Sequence, residues 1–419
     1  MLEPADAEIA DRDPALPALR VVLDHEALTS LVAELLPADA KAPERVTVTY
    51  LRYKPGTSLT AALRLGYGGR TRRAFLRAYT AEGDGKLGKD VRHAEGPPAP
   101  APPGVDLTEV TDPGWRGPLV APDLGLVVAA PADDRALPAL RHFAGAPGFA
   151  SQGTRRARTL RHKPGRRWVG RLDGDARRPE HVLRAHSGGV NVAPYVTLAA
   201  AGLPVPEVTR VSRFGLLATR WIPGTPLDGA LAAGDVDAPA AVGGLLARLH
   251  AVPAPRELPE ARPTDPAVAA RAVAALLPDL AARAERVAQA CARALEPEPG
   301  VLVHGDLSAD QVLLTERGPA LIDLDRVRVD APAADLASFV AAEIAAGRAL
   351  AGAEPDRVLG PLLDSYLEAR PGRPRPRGLA AHTAAALLNR CAEPFRHRVP
   401  GWAGQARMLV ETAAGLVGA

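Results

Sequence analysis

The chain of 419 residues has little of several things, and each shortage excludes a class of protein. It holds two cysteines, Cys291 and Cys391, which rules out a disulfide framework and any cysteine-rich zinc module. It has no run of about 18 uncharged apolar residues, so no segment is expected to span a membrane. Met1-Leu2-Glu3-Pro4-Ala5-Asp6 is acidic and lacks an apolar stretch, so no signal peptide is expected and the chain reads as soluble and cytoplasmic. Aromatic residues make up only 4%, no block of five or six like charges occurs, and the net charge is +3. That is a poor footprint for nucleic acid. Lysine is the scarcest basic residue: Lys41, Lys54, Lys86, Lys89 and Lys163 stand against 46 arginines. A GC-rich coding bias accounts for such a skew and also enriches Ala, Gly and Pro. There is no Gly-x-x-x-x-Gly-Lys-Ser/Thr, no Gly-x-Gly-x-x-Gly opening a helix, no His-Glu-x-x-His and no Gly-x-Ser-x-Gly.

What is present is a large apolar fraction, 47%, enough for a sizeable core and two or three domains. The 39 glycines and 42 prolines punctuate periodic segments rather than form one low-complexity tract. An internal repeat organises the N-terminal half. Leu51-Arg52-Tyr53-Lys54-Pro55-Gly56 recurs as Leu160-Arg161-His162-Lys163-Pro164-Gly165. An alternating run follows in each, then Phe75–Tyr79 against Val182–His186, then Leu124–Ala129 against Phe214–Thr219. Each copy predicts strands joined by short turns, hence an antiparallel sheet. The Pro-rich stretch Gly96–Gly104 predicts a semi-extended surface excursion in the first copy.

From about residue 228 the period becomes helical. Ala240–His250 and Pro266–Leu295 carry apolar residues at i, i+3, i+4, with Thr264 or Asp265 as the N-cap of the second. Helical patterns also dominate after residue 333. Between them lies a short β island at 301–325. In it His304-Gly305-Asp306 precedes Gln311 by five residues, and Asp323 follows an apolar strand. A hairpin returns its ends to one place, so Asp306, Gln311 and Asp323 are expected to converge. Two carboxylates and an amide carbonyl are hard oxygen ligands suited to Mg²⁺. A carboxylate outside the metal shell can take a proton from an attacking hydroxyl.

These motifs, in this order, resemble the aminoglycoside phosphotransferase superfamily of kinase-like enzymes. His304-Gly305-Asp306 and Ile322-Asp323 match its catalytic loop and metal strand. Asp335-Leu336-Ala337 resembles its helix start, Ala218–Gly224 its hinge, and Leu245–His250 the helix after the hinge. The resemblance covers roughly 155–400. It implies an α+β, two-lobed protein-kinase-like fold: 1–150 an extra N-terminal α/β cap module and degenerate repeat of the ATP lobe, 151–225 the β-rich ATP lobe and hinge, and 226–419 the helical lobe. It implies ATP and Mg²⁺ as cofactors. Asp306 would be catalytic with His304 orienting the loop. Gln311, Asp323 and Asp325 would be metal ligands, and Arg184, Lys163, Arg220, Trp221 and Ile222 would bind nucleotide. Asp335 is expected as a helix N-cap that braces the loop.

Three departures stand out. Gln311 replaces Asn, as in the maltokinases of the superfamily. Arg184 stands where a phosphate-binding lysine is usual, and Ser187–Leu198 offers no Glu to pair with it. The expected activity is phosphorylation of a hydroxyl on a sugar or amino sugar, with maltokinases and glucosamine kinases, which also carry an N-terminal cap, as the nearest resemblance. Inactivation of an aminoglycoside-type antibiotic is one alternative, and a nucleotide-binding pseudokinase is the alternative from another class. Tyr366 and Trp402 are candidates either for sugar stacking or for the core. Glu343 and Glu393 are candidates for binding an amine or for the surface. No nucleic-acid or membrane partner is expected, and monomer and homodimer both remain open.

Overall fold

The computed structural model describes residues 2–96, 104–142, 155–174, 178–235, 237–255, 258, 265–295, 298–350 and 352–419. The chain divides into two compact units. One comprises residues 1–190, 208–221 and 395–400, the other 191–207, 222–394 and 401–419. Most of the expected excursion 96–104, the N-cap candidate Thr264 and the junction at 150 lie outside the described residues.

Among the described residues, the first unit is built on eleven strands: β1 Arg45–Lys54, β2 Ser58–Tyr67, β3 Arg70–Tyr79, β4 Val105–Asp106, β5 Leu119–Ala121, β6 Leu126–Ala129, β7 Arg155–Lys163, β8 Arg167–Asp173, β9 Pro179–His186, β10 Val208–Val211 and β11 Leu216–Arg220. They form two sheets of orders β1-β2-β3-β6-β5 and β10-β11-β9-β8-β7-β4. Read from the first strand of each repeat, the orders are the same: three meander strands, then the last strand, then the one before it. Every pairing is antiparallel except the short parallel contact of β4 with β7. Alternation places Leu183 and Ala185 in a core with Trp168, Leu172, Leu216 and Ala218, so Arg184 faces the other way. Val105, Leu107, Val110, Leu137 and Leu140 pack into the same core. Residues before 150 therefore help to close the second sheet.

The two Lys-Pro-Gly turns are held alike. Asp13 accepts the Gly56 N–H at 2.8 Å and the Tyr53 hydroxyl at 2.7 Å. Asp134 accepts the Gly165 N–H at 2.6 Å and lies 3.9 Å from His162, the residue matching Tyr53. Burial opposes the charge on Asp134, but His162, Arg77 and the Gly165 N–H outweigh it and hold the carboxyl at about 2.

In the second unit, helices Ala238–Ala251, Pro266–Leu276, Ala281–Ala294, Ala333–Ala345, Pro361–Glu368, Leu379–Arg390 and Trp402–Val417 surround a small β region. Asp265 caps its helix by accepting the Ala267 N–H at 2.9 Å. The single helix expected over 266–295 is two. Pro278 has no N–H to continue the first helix, and a 3₁₀ turn at Pro278–Leu280 separates the pair. The β region consists of β12 Thr225–Pro226, β13 Val301–Val303, β14 Val312–Thr315, β15 Gly318–Leu321 and β16 Arg328–Asp330. The hairpin is β14–β15 around Glu316-Arg317, while β13 pairs instead with β16.

Candidate active site

The loop His304–Ser308 leaves β13 and turns back through a 3₁₀ turn, Ala309–Gln311, into β14. Gly305 makes the bend at φ +81°. A Cβ there would lie 2.3 Å from the Arg326 carbonyl oxygen and 2.2 Å from an Arg328 nitrogen, so both the dihedral and the space require glycine. Arg328 closes the bend by donating to the Gly305 carbonyl at 2.8 Å, and its other nitrogens hold Asp330.

Asp335 secures the loop from below. Its oxygens accept the backbone N–H groups of His304 at 2.7 Å and Gly305 at 2.8 Å. Its helix begins at Ala333 with Pro332 in the cap position, so Asp335 is not the N-cap expected from sequence. It sits within the first turn, in the positive end of the helix dipole, and spends its carboxylate on the loop. Behind it runs a buried chain. His250 Nε2 lies 3.2 Å from Asp335, His250 Nδ1 lies 2.8 Å from the Tyr366 hydroxyl, and Arg370 donates to that hydroxyl. Asp335 has no exposed surface, and burial alone would raise its pKa. The hydrogen bond and charge of His250, the charge of His304 and the Gly305 N–H overcome burial and keep it below the usual 3.8.

Helix packing makes this chain possible. Gly243 lets Ala238–Ala251 approach Pro361–Glu368 so closely that a Cβ would meet the Leu362 carbonyl oxygen at 2.2 Å. His250 and Tyr366 are thereby brought within hydrogen-bonding distance. Neither residue carried a functional reading in the sequence beyond the helix match of His250 and the open alternatives for Tyr366. A histidine on a mostly apolar helix face was the available signal. The structure assigns Tyr366 and Trp402 to the core, both fully buried. Glu343 is engaged bidentately by Arg348 at 2.7 and 2.6 Å, and Glu393 pairs with Arg390 at 3.3 Å.

His304 is buried, and its Nε2 donates to the Ile322 carbonyl at 2.8 Å. It ties the loop to the residue preceding Asp323. Ile322 is tied a second time, its N–H donating to the Gln311 carbonyl at 3.0 Å. Backbone bonds thus bring the neighbourhoods of His304, Gln311 and Asp323 together. Asp306 remains 39% exposed at its side chain, with Arg326 at 3.4 Å and Arg390 at 3.7 Å. Asp323 holds φ +60°, ψ +53°, a left-handed conformation unusual for a non-glycine residue. Asp325 lies in the 3₁₀ turn Leu324–Arg326 that follows.

The residues expected at a divalent cation, Asp323, Asp325 and Gln311, offer oxygens only. Gln311 is 9% exposed, and its Oε1 has no hydrogen-bond partner among the described residues. A buried amide oxygen left without a donor is costly, and a hard cation satisfies it. The residues present fit Mg²⁺. No cluster of three or more His, Cys, Asp and Glu residues suited to a metal occurs among the described residues.

The residues expected at nucleotide lie mostly in the first unit. Arg184 is 4% exposed on β9, between Val169 on β8 and Leu217 on β11. Lys163 ends β7 with its ammonium 5.3 Å from the Tyr50 ring centre. Arg220 ends β11, and the Trp221 N–H donates to the Glu180 carbonyl at 2.8 Å. Ile222 begins the next segment of the second unit.

A family model described as "Phosphotransferase enzyme family" (APH) matches residues 146–379. The chain belongs to this phosphotransferase family. It is a small-molecule phosphotransferase of the kinase type with the α+β, protein-kinase-like fold of that family. Similar solved structures include a choline/ethanolamine kinase family protein from Mesorhizobium loti at 18% identity, covering 68% of this chain and 92% of that one with a TM-score of 0.45. An aminoglycoside-3'-phosphotransferase of type VIII is 24% identical over 61% of this chain and 99% of its own, TM-score 0.42. A putative fructosamine-3-kinase from Thermobifida fusca is 22% identical over 63% and 93%, TM-score 0.40. No curated protein matches the chain. Among the described residues, no helix is long and apolar enough to cross a membrane.

Proposed function

We propose that this phosphotransferase moves the γ-phosphoryl group of ATP to a hydroxyl of a sugar or amino sugar. The observation that carries the reading is the state of Asp306. The backbone of the two residues before it is pinned by Asp335 and Arg328, yet its own carboxylate stays solvent-accessible beside two guanidinium groups. A fixed, accessible carboxylate can accept a proton from an acceptor hydroxyl. The acceptor oxygen forms a bond to the γ-phosphorus, the bond from that phosphorus to the leaving ADP oxygen breaks, and the hydroxyl proton passes to Asp306. His304 is a positioning residue.

Gln311, Asp323 and Asp325 would hold Mg²⁺, which neutralises phosphate charge when bound. Lys163 and Arg184 are assigned to phosphate, and the backbone of Arg220, Trp221 and Ile222 to the adenine ring. The module within residues 1–150 is read as a degenerate copy of the ATP lobe, 151–225, that caps or braces the active site, with 226–419 as the helical lobe. The equal strand order of the two sheets supports that reading.

Transfer is tested with purified protein, ATP, Mg²⁺ and a panel of sugars, amino sugars and aminoglycosides. Asp306→Asn is expected to lower turnover by at least a thousandfold while ATP binding persists. Unchanged turnover removes Asp306 from its role. ATP binding with no transfer to any acceptor would favour the pseudokinase alternative.

A further inference from the structure

The repeat left a second polar face on the first sheet. Register places Arg52, Thr60 and Arg77 in one row across β1, β2 and β3, and Lys54, Ser58 and Tyr79 in the next. Residues directly opposite one another point to the same side, so these six share a face. The matching rows of the second sheet are Arg161, Val169, Arg184 and Lys163, Arg167, His186. Three cationic positions therefore recur in register: Arg52 with Arg161, Lys54 with Lys163, and Arg77 with Arg184. Like charges on adjacent positions of one sheet face destabilise it. Their presence here needs a reason other than folding.

That face opens into a cavity of about 340 Å³, within the range of small-ligand sites. Arg52, Lys54, Arg77, Lys86 and Arg135 line it, with the hydroxyls of Thr57, Ser58 and Thr60, and no carboxylate is among the lining residues. Two of the cations are compensated from behind. Buried Arg77 pairs with Asp90 at 3.0 Å and with Asp134, and Arg135 meets Asp90 at 2.5 Å. Arg52, Lys54 and Lys86 make no ion pair among the described residues. Burial and the nearby charges of Arg166 and Arg396 lower the pKa of Arg52, as expected where cations crowd without an anion.

We propose that this cavity is a phosphoryl-binding site for a small phosphate ester, distinct from the donor position assigned to Arg184 and adjoining the turn after Lys163, whose Pro164 and Gly165 also line it. Arg77 and Arg135 are pre-positioned by their carboxylates to present guanidinium nitrogens to phosphate oxygens. Lys54, Lys86 and Arg52 supply the uncompensated charge, and Thr57, Ser58 and Thr60 supply neutral donors. The cavity is of small-molecule size and its charged lining is wholly cationic. A single phosphorylated metabolite is the ligand class that fits.

The test is calorimetric titration of the full chain, without nucleotide, using glucose 6-phosphate and inorganic phosphate. Glucose and an equal ionic strength of chloride serve as controls. The expected result is saturable binding of glucose 6-phosphate, inorganic phosphate or both, and neither control. The two phosphate arms distinguish an ester site from a site for free phosphate. The double variant K54Q/K86Q, both exposed positions, should weaken binding at least tenfold with an unchanged melting temperature. Arg184→Ala should leave it intact. Wild-type binding by K54Q/K86Q, loss of binding in Arg184→Ala, or no binding above chloride would each overturn the proposal. ATP binding in K54Q/K86Q is read separately. Its persistence shows that a lost phosphoryl site and a lost donor site are different failures.

Discussion

Asp335 Oδ2 lies 2.7 Å from the backbone nitrogen of His304, in a place with no access to water. A carboxylate on one helix thereby dictates the conformation of a loop thirty residues earlier. Replacing it with Asn keeps the shape but offers an amide nitrogen where an acceptor is needed. Asp335→Asn should cost about 3 kcal/mol of stability. The pH dependence follows from its depressed pKa. The unfolded carboxyl takes up a proton near the usual value, while the folded one resists until lower pH. The stabilisation is therefore complete above about 4 and is lost as pH falls through the folded value. Urea unfolding at a series of pH values should show a steep acid limb in the parent and a flatter one in the variant. Equal slopes would remove Asp335 from this role.

Gly305 tests the same loop through sterics alone. Gly305→Ala places a methyl group 2.3 Å from the Arg326 carbonyl oxygen at a positive φ. The loop must shift, and transfer should fall by roughly a hundredfold while the fold persists, because misplacing a reacting group by about 1 Å has that effect. Circular dichroism and turnover measured together check this. Full activity in the alanine variant would show that the bend need not be held as seen.

Gln311 has an amide oxygen buried without a donor. Gln311→Leu removes that group, so stability without Mg²⁺ should be unchanged or up by about 1 kcal/mol. Activity should instead fall and require much higher Mg²⁺. Thermal melts with and without Mg²⁺ separate the two effects. A variant destabilised without the metal, with the parent's Mg²⁺ dependence, would mean that Gln311 serves packing alone.

Arg184 and Lys163 compete for one role. Arg184 is nearly buried on its strand and Lys163 ends a strand beside Tyr50. Arg184→Ala should raise the KM for ATP roughly tenfold or more, as loss of one charge-assisted contact does, with a smaller effect from Lys163→Ala. The reverse order would assign the phosphates to the Lys-Pro-Gly turn.

Much of this was legible in the residues. The repeat Leu51–Gly56 and Leu160–Gly165 announced two like sheets because period-two alternation and Pro-Gly turns are local signals. That the neighbourhoods of His304, Gln311 and Asp323 meet was readable because they lie within one short segment. The break at Pro278 was also present in the sequence, and the helical period on both sides concealed it. The cap reading of Asp335 failed for a different reason. Position near a helix start was local, but the loop that the carboxylate meets was not.

The sequence by itself determined the strand and helix periods, the two Lys-Pro-Gly turns and the order of the phosphotransferase motifs. Each depends on neighbours a few residues apart. Only the tertiary structure decided that Tyr366 and His250 stand behind Asp335, that Arg326 and Arg390 flank Asp306, and that Arg52 and Arg77 stand in one row on either side of Thr60. Those pairings arise from close helix packing at Gly243 and from strand register. They join residues tens of positions apart, where no local propensity reaches. The scarce lysines acquire meaning in the same way. Lys54 and Lys163 occupy the same place in the repeated Leu51–Gly56 and Leu160–Gly165 motif, but their position on matching sheet faces is decided only by the folded register.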